Sequence, residues 1–394
     1  MKRLLLAAIL LFVYSACSDN SGQEVKKTVE KQQPESEPIE AIPIDSALTG
    51  FANFIAGKES DLFSFADSSA QRKYSEFCKI NREKYASIKR SRLDVIQRWN
   101  AANFKENSSD DSAYCFYPFA GGDFIHMYHL FPNASNYMML AKEPVGTLPE
   151  LTAQKSGRDL VYLNAVDRSL RNIYLQSYFI TKNMAQDMRS DSSVVDGVLP
   201  FILWGLAKTD HEITEMNFFN IDTSGTRSAV DAEKTKRYTG VEIKFTKKGS
   251  NQLKTLQYLS VDISNAGFTA APRVYTYLEK TTPTSFNSFV KSASYLLHYG
   301  SFTKIRDFVL ARSNYHLQDD TGIPYKYFKQ AMWSAQLFGK YTLPVSDFSP
   351  TLYQQDLSAA YTDSTTFRGD LKFSMGYHWG SREQNQMLFV RKRK

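Results

Sequence analysis

Three side chains that could bind a metal ion or transfer a proton follow one another at a spacing of three residues: Asp123, His126 and His129. On a helix this spacing places them on one face, as ligands of a Zn²⁺-like ion or as the acid and base of a hydrolase. No further His or Cys lies nearby in the sequence to complete a metal site, so we predict none. In the structural alternative, Gly121-Gly122 forms a loop, Asp123 caps the helix and the histidines pack between apolar neighbours. A cap predicts that Asp123→Asn preserves stability, because Asn accepts the same backbone hydrogen bond.

A second acidic pair, Asp319 and Asp320, begins the sequence Asp319-Asp320-Thr321-Gly322. Asp and Gly are favoured in turns, so we predict a hairpin turn here. Arg306 and Arg312 stand just upstream on a predicted helix, and structurally one or both would pair with these aspartates. The functional alternative is a polar ligand site or a catalytic site at Asp319 and Asp320.

Two short motifs match catalytic patterns only in part. Ser288 to Lys291 and Ser301 to Lys304 fit the Ser-x-x-Lys of penicillin-binding enzymes, but the companion Lys-Thr-Gly is absent from the sequence. The run from His211 to Glu215 has Glu where the helical zinc-protease motif needs a second His, and it alternates like a strand. The sequence also has no phosphate loop and no dinucleotide fingerprint, so we predict no cofactor.

Periodic helix and strand segments surround these candidate residues. Helical periodicity marks residues 70–100, 158–188, 282–297 and 302–309, with Thr282 and Pro283 as the cap and first position of the third helix. Strand-like alternation marks residues 211–221, 238–245, 256–263 and 314–328. Helices and strands therefore come in separate runs, which predicts an α+β fold: a single mixed domain with an antiparallel sheet and several helices.

The N-terminus has the three parts of an export signal: Lys2-Arg3, an apolar run, and Ser15-Ala16 before Cys17. With Cys directly after Ser-Ala, it resembles the lipobox of bacterial lipoproteins. The resemblance implies a signal peptide over residues 1–16 and acylation of Cys17; the alternative is a standard secretory signal. Ser18, in place of Asp, implies the outer membrane, with the protein on its periplasmic side.

The next segment, residues 17–44, is polar and charged, so we predict a disordered tether there and a globular domain over residues 45–394. The whole chain is 42% hydrophobic and 23% charged, which excludes collagen-like and disulfide-scaffold proteins. Its net charge is +7, and it ends in Arg391-Lys392-Arg393-Lys394. Export excludes nucleic acid as the partner of these basic residues, and we expect contact with the membrane through the lipid anchor.

Two stretches carry a family resemblance. The first reads YPFAGGDF at 117–124, FPNA at 131–134 and EPVG at 143–146, and the second contains LQDDTGIPY at 317–325. Together they resemble a family of uncharacterised bacterial envelope proteins over residues 114–348. The resemblance implies one continuous domain, and it implies no chemistry because the family has no established activity.

The two cysteines after Cys17 are Cys78 and Cys115. In an oxidising compartment they are the remaining thiols, which favours a disulfide between them. Burial is the competing interpretation, because each lies within an apolar stretch.

Function is the least determined feature of the sequence. Tyr353, Tyr361, Tyr377 and Trp379 cluster near the C-terminus, and exposed aromatic residues serve protein or glycan contacts. We therefore expect a lipid-anchored, non-enzymatic binding or assembly component of the cell envelope with a protein or glycan partner. The alternative is a periplasmic hydrolase that uses Asp123 with His126 or His129, or Asp319 and Asp320.

Overall fold

The computed structural model describes residues 42–59, 63–104, 113–149, 154–178, 195–230, 238–348, 350–380 and 383–392. The predicted signal peptide, Cys17 and almost all of the predicted tether lie outside these ranges. Residues 41–394 form one compact unit. None of the helices in the described ranges combines the length and the apolar character needed to cross a bilayer.

The helices are α1 (Ser46–Ile55), α2 (Ser68–Ile88), α3 (Asp94–Asn103), α4 (Phe124–Leu130), α5 (Gly157–Gln176), α6 (Leu199–Lys208), α7 (Asn265–Ala270), α8 (Pro272–Thr281), α9 (Thr303–Arg312) and α10 (Gln355–Thr362). One π-helical turn, Lys89–Leu93, joins α2 to α3. Side chains cap several of these helices in the usual way; for example, the Asp67 carboxylate accepts a hydrogen bond from the backbone N–H of Ala70 at 2.7 Å.

The strands are β1 (Ser64–Phe65), β2 (Tyr114–Pro118), β3 (Asn136–Ala141), β4 (Gln154–Lys155), β5 (His211–Ile221), β6 (Arg227–Ala229), β7 (Gly240–Lys247), β8 (Leu253–Ser260), β9 (Phe286–Val290), β10 (Ser313–Gln318), β11 (Trp333–Gly339), β12 (Phe367–Gly369) and β13 (Asn385–Arg391). Strands β1 and β4 form a small parallel pair. The others form one sheet in the order β12-β11-β13-β10-β9-β2-β3-β8-β7-β5-β6.

The centre of this sheet is parallel and its flanks are mostly antiparallel. Strands β10, β9, β2, β3 and β8 run in one direction. Strand β13 is antiparallel to both of its neighbours on one flank, and β7, β5 and β6 continue antiparallel from β8 on the other. The predicted α+β single domain is confirmed, and the sheet is mixed: its centre is parallel, whereas the sequence predicted an antiparallel sheet.

Both faces of the sheet are covered, as a parallel sheet requires. Cys115 and Tyr117 of β2 pack on the face covered by α1 to α6, together with Phe54 and Trp204. Phe116, between them in the sequence, packs on the opposite face with residues of α7 to α10. Successive side chains of β2 therefore point into two different apolar cores. Because both faces of the sheet are filled, a ligand site can form only at the ends of the strands.

The chain reverses its direction of travel across the sheet at β2. From β2 it proceeds to β3 and β8 on one side, and it then returns to place β9 and β10 on the other side. Loops at the carboxyl ends of β2 and β9 therefore diverge, and in parallel sheets such a point leaves a crevice that binds ligands.

Most of the predicted elements are confirmed. The helix expected over 70–100 is α2, the π turn and α3, and the strands expected at 211–221, 238–245 and 256–263 are β5, β7 and β8. The helix expected over 158–188 is α5, which ends before Ser177; residues 179–188 lie outside the described residues. The helix expected over 302–309 is α9.

Two predicted elements are wrong. Residues 286–290, assigned to a helix that Thr282 caps, form strand β9, and Thr282 instead ends α8. Every residue of β9 is buried, and its apolar residues Phe286, Phe289 and Val290 have the i, i+3, i+4 spacing of a helix face. The predicted hairpin at Asp319 is also absent, because β10 pairs with β9 and β13 and not with the residues that follow the turn.

Candidate functional site

A cleft lies at the carboxyl ends of β2, β3, β8 and β9, where the chain reverses across the sheet. Its volume is about 500 Å³. Residues at the ends of these four strands and in the segments that follow them form most of its wall: Tyr117, Phe119, Ala120, Gly121, Asp123, Ala141, Lys142, Glu143, Val261, Asp262, Ile263, Lys291, Ser292, Ala293, Ser294 and Leu296. Tyr178, Phe302, Asp347 and Tyr377 complete it.

The wall of the cleft contains a buried ion pair between Asp123 and Lys291. Asp123 caps α4, accepts a hydrogen bond from the Tyr117 hydroxyl at 3.2 Å, and lies 2.6 Å from Nδ1 of His126. Lys291 follows β9 and donates to the carboxylate of Asp123 across the point of reversal. The ion pair thus joins the two strand ends between which the cleft opens.

Lys291 also holds the end of α5 in place. Its ammonium donates to the backbone carbonyl of Ser177, whose side-chain oxygen accepts from the backbone N–H of Gly376 at 2.8 Å. Arg92, in the π-helical turn, donates to the carbonyls of Ile173 at 3.0 Å and Leu175 at 3.1 Å. Two cations therefore satisfy carbonyl groups at the C-terminus of α5, where the helix dipole favours positive charge.

Burial and charge set the ionisation of this cluster. Burial lowers the pKa of Lys291, and the Asp123 carboxylate offsets part of that effect. Burial by itself would raise the pKa of Asp123, but His126 and Lys291 outweigh it, so the pKa is lowered. Burial lowers the pKa of His126 to about 3. Since the imidazole is uncharged at neutral pH, the positive partner of Asp123 is Lys291.

Backbone strain is concentrated in the segments that build the cleft. Of the six described non-glycine residues with positive φ, five belong to these segments: Phe119 (63°), Ser177 (72°), Ser292 (55°), Ser294 (54°) and Tyr295 (59°). This conformation is unfavourable for bulky side chains such as Phe and Tyr, and strain of this kind clusters at functional sites.

A second polar cluster surrounds Asp320 at the end of β10. Its carboxylate accepts from the Tyr295 hydroxyl at 2.5 Å, from Asn385 at 3.0 Å and from Nε2 of His378 at 2.8 Å. Its neighbour Asp319 accepts from the backbone N–H of Ser292 at 3.1 Å. Neither aspartate lines the cleft, although Ser292 does.

The ionisation of this second cluster differs from that of the first. Burial and the charge of Asp320 raise the pKa of Asp319 to about 6. Burial lowers the pKa of His378, but its hydrogen bond to Asp320 and the nearby carboxylates outweigh that effect, so the net shift is upward.

The candidate residues are separated by the fold. Asp123 caps α4 as predicted, and His126 bonds to it, but Nδ1 of His129 bonds to the carbonyl of Ile125 at 2.7 Å. Arg306 and Arg312 do not pair with Asp319 or Asp320: Arg306 stacks 4.0 Å from the Tyr327 ring centre, and Arg312 bonds to Thr282. The predicted pairing is wrong because the aspartates turn inward to Ser292, Tyr295 and His378.

The partial motifs are structural. Ser288 is buried within β9 and lies 2.6 Å from Nδ1 of His316, while Lys291 pairs with Asp123, so the two do not act as a Ser-x-x-Lys pair. His211 lies on β5 and bonds to Thr209 at 2.7 Å. Within the described ranges, no three His, Cys, Asp or Glu side chains come together as metal ligands.

The predicted disulfide is absent from the structure. Cys78 and Cys115 are both buried free thiols. Cys78 packs on the inner face of α2 and Cys115 lies in the central strand β2, so each occupies an apolar core position of its own element. Burial, the competing interpretation, accounts for both.

Several residues of the cleft could not be identified from the sequence. In the sequence, Lys291 is part of the Ser-x-x-Lys pattern and Glu143 is part of the EPVG motif, and neither pattern places them at a cleft. Ser177 coincides with the end of a helical pattern and Tyr377 with the aromatic cluster. Comparison with known proteins found no matching family model, no matching curated protein and no matching solved structure.

Proposed function

We propose that this protein binds a small organic molecule in the cleft at the ends of β2, β3, β8 and β9. The observation that carries the proposal is a cavity of about 500 Å³ at the point where the chain reverses across its parallel strands. Pockets for small molecules have this size, and in open parallel sheets they lie at this position.

The composition of the wall supports binding. Apolar and aromatic side chains such as Phe119, Tyr178, Leu296 and Tyr377 alternate with a few charged groups. Such a mixture buries a ligand and orients it through a few polar contacts. The strained backbone at Phe119, which follows β2, is a further feature typical of a ligand site.

The hydrolase alternative has less support from the geometry. Asp123 is 2% exposed, and its oxygens already accept from Tyr117, His126 and Lys291, so it offers no free acceptor for a proton. Asp320 accepts from three side chains and does not line the cleft. A general base must reach the proton that it removes, and these contacts compete with that role.

A change at Leu296 tests the cleft. Leu296 lines the cavity and is half-buried, so Leu296→Trp should fill part of the space; Leu343, 63% exposed and outside the cleft, gives the matched control Leu343→Trp. Ligand-detected NMR would screen a library of small amines, acids, alcohols and sugars against the mature protein. We expect the compounds that bind to bind Leu343→Trp equally and to lose about tenfold or more in affinity for Leu296→Trp, since overpacking a site costs about 1–3 kcal/mol.

Two results of that screen would contradict the proposal. One is a set of compounds that bind Leu296→Trp as tightly as the parent; the other is a screen in which no compound binds. Melting temperatures of both variants show whether the fold is retained.

We also propose that the protein carries out this binding in the cell envelope, attached through acylated Cys17. The support is the lipobox-like sequence that ends at Cys17. Cys17→Ser should release the protein into the soluble periplasmic fraction, while the parent stays with outer membranes after a high-salt wash. A Cys17→Ser variant that still sediments with membranes would overturn this assignment. A protein or glycan partner remains a prediction.

A further inference from the structure

The wall of the cleft contains more carboxylates than lysines. Lys291 pairs with Asp123, and Lys142 pairs with Asp262 at 2.8 Å. Glu143 lines the same cavity, and its carboxylate forms no hydrogen bond or ion pair with any described residue. Asp347 lies at another part of the wall, and its carboxylate likewise forms no hydrogen bond or ion pair with any described residue. Among the described residues, the cleft therefore has two carboxylates beyond those that lysine neutralises.

Two tyrosine rings stand beside one of these carboxylates. The ring centres of Tyr178 and Tyr377 are 4.7 Å apart, with an angle of 63° between the ring planes. Phe348 packs against Tyr377 at 5.1 Å, and the Tyr377 hydroxyl bonds to Ser294, so this ring is held in place. Asp347 lines the same cavity as both rings. Its negative charge adds to the effect of burial in raising the pKa of both phenols.

Rings at a steep angle beside a carboxylate attract positive charge. The face of an aromatic ring carries negative potential, and cages of such rings bind alkylated ammonium groups. The carboxylate adds a second, longer-range attraction.

The same wall disfavours anions. The ammonium of Lys291 already donates to Asp123 and to the carbonyl of Ser177. The start of α4 is capped by the Asp123 carboxylate. A phosphate or carboxylate ligand would therefore meet unpaired negative charge at Glu143 and Asp347 without a free cation among the described wall residues.

From these contacts we infer that the cleft binds an organic cation, an amine or a quaternary ammonium compound, with its charged group against Tyr178, Tyr377 and Asp347. This inference rests on the proposed function and specifies the ligand class for it. Glu143 supplies a second carboxylate to a ligand that extends along the cavity.

Pairs of cations and neutral isosteres test the inference directly. The probes are choline with 3,3-dimethylbutan-1-ol and phenethylamine with phenethyl alcohol, measured by ligand-detected NMR on the mature protein together with the amines and alcohols of the library. We expect cations to bind about tenfold more tightly than their neutral isosteres, because ring and carboxylate attractions combine.

Matched variants assign the effect to these residues. Tyr178→Leu should weaken cation binding about fivefold to tenfold, and exposed Tyr353→Leu should leave it unchanged. Asp347→Asn should weaken it about threefold, while Asp370→Asn, which removes the same charge from an exposed residue outside the cleft, should not.

The outcomes separate the two proposals. If neutral isosteres bind as tightly as cations and Leu296→Trp abolishes both, the cleft binds small molecules and the cation inference is wrong. The inference is equally wrong if Asp347→Asn and Asp370→Asn have the same effect. If no probe responds to Leu296→Trp, both proposals fail.

Discussion

Asp123 and Asp320 are two buried carboxylates that follow parallel strands of the same sheet, and their surroundings differ. Asp123 follows β2, pairs with Lys291 and lines the cleft. Asp320 follows β10, bonds to Tyr295, Asn385 and His378, and does not line the cleft. Segments 292–295 and 376–378 occupy the space around Asp320, whereas the chain diverges after β2.

The difference shows that position in the sheet, more than residue type, decides whether a buried aspartate lines a cavity. Both sites combine an aspartate, a histidine and a tyrosine. Only the one at the point of chain reversal faces a cavity, because neighbouring loops there leave in opposite directions.

The largest expected effect concerns pH. Burial lowers the pKa of His126 and His211 to about 3 and of His298 and His316 to about 4, whereas the pKa of His378 beside Asp320 is raised. The first four are uncharged in the folded protein, and the unfolded chain takes up their protons below about pH 6.5. The stability that these four histidines contribute is therefore complete above pH 6.5 and falls as the pH drops toward 4, by about 1.4 kcal/mol per pH unit for each histidine.

Two groups act in the opposite direction. The contribution of His378 is complete below about pH 6.5 and is lost as the pH rises through its folded pKa. The folded state raises the pKa of Asp319 to about 6, so protonation of this carboxyl group as the pH falls through 6 increases the stability of the folded protein. These two groups are fewer than the four uncharged histidines. Urea unfolding at pH 7 and pH 5 should therefore show a much smaller free energy of unfolding at pH 5. Equal stability at the two pH values would contradict this prediction.

The next largest effect is the loss of the charge partner in the cleft. Lys291→Met leaves Asp123 buried without its cation, which should reduce the free energy of unfolding by about 3–5 kcal/mol. Asp123→Asn, which a simple cap would tolerate, should also destabilise, because Lys291 then lacks its carboxylate. Urea unfolding measures both variants, and the double variant should recover part of the loss.

Lys142→Met provides the control for this prediction. Lys142 belongs to an exposed ion pair with Asp262, and such pairs contribute about 0–1 kcal/mol. If Lys291→Met costs no more than Lys142→Met, the buried pair is not a stabilising contact and the assigned role of Lys291 is wrong.

The smallest effect is expected at Asp320. Asp320→Asn retains one acceptor oxygen and removes a charge whose partners are mainly neutral, so the cost should be about 1–3 kcal/mol in urea unfolding. Ligand binding in the cleft should persist, because Asp320 does not line it. A loss equal to that of Lys291→Met would remove the contrast between the two regions, and Asp370→Asn controls for charge.

Part of the fold could be predicted from local patterns. The cap at Asp123, helices α2 and α9, and strands β5, β7 and β8 follow from periodicity and capping preferences. Strand β9 could not be recognised, because Phe286, Phe289 and Val290 have helical spacing and the polar Asn287 and Ser288 are buried with them. Strands β2 and β3 were not predicted either, so the parallel centre of the sheet and the point of chain reversal could not be predicted.

The sequence by itself determined the α+β class, the cap at Asp123 and the packing of His126 and His129 between apolar neighbours. It also predicts an export signal, because that pattern depends only on consecutive residues. Tertiary structure alone decided that Asp123, Lys291 and Tyr377 line one cleft and that Lys291 also bonds to the carbonyl of Ser177. These residues are distant in sequence, and no local preference encodes a contact that depends on strand order.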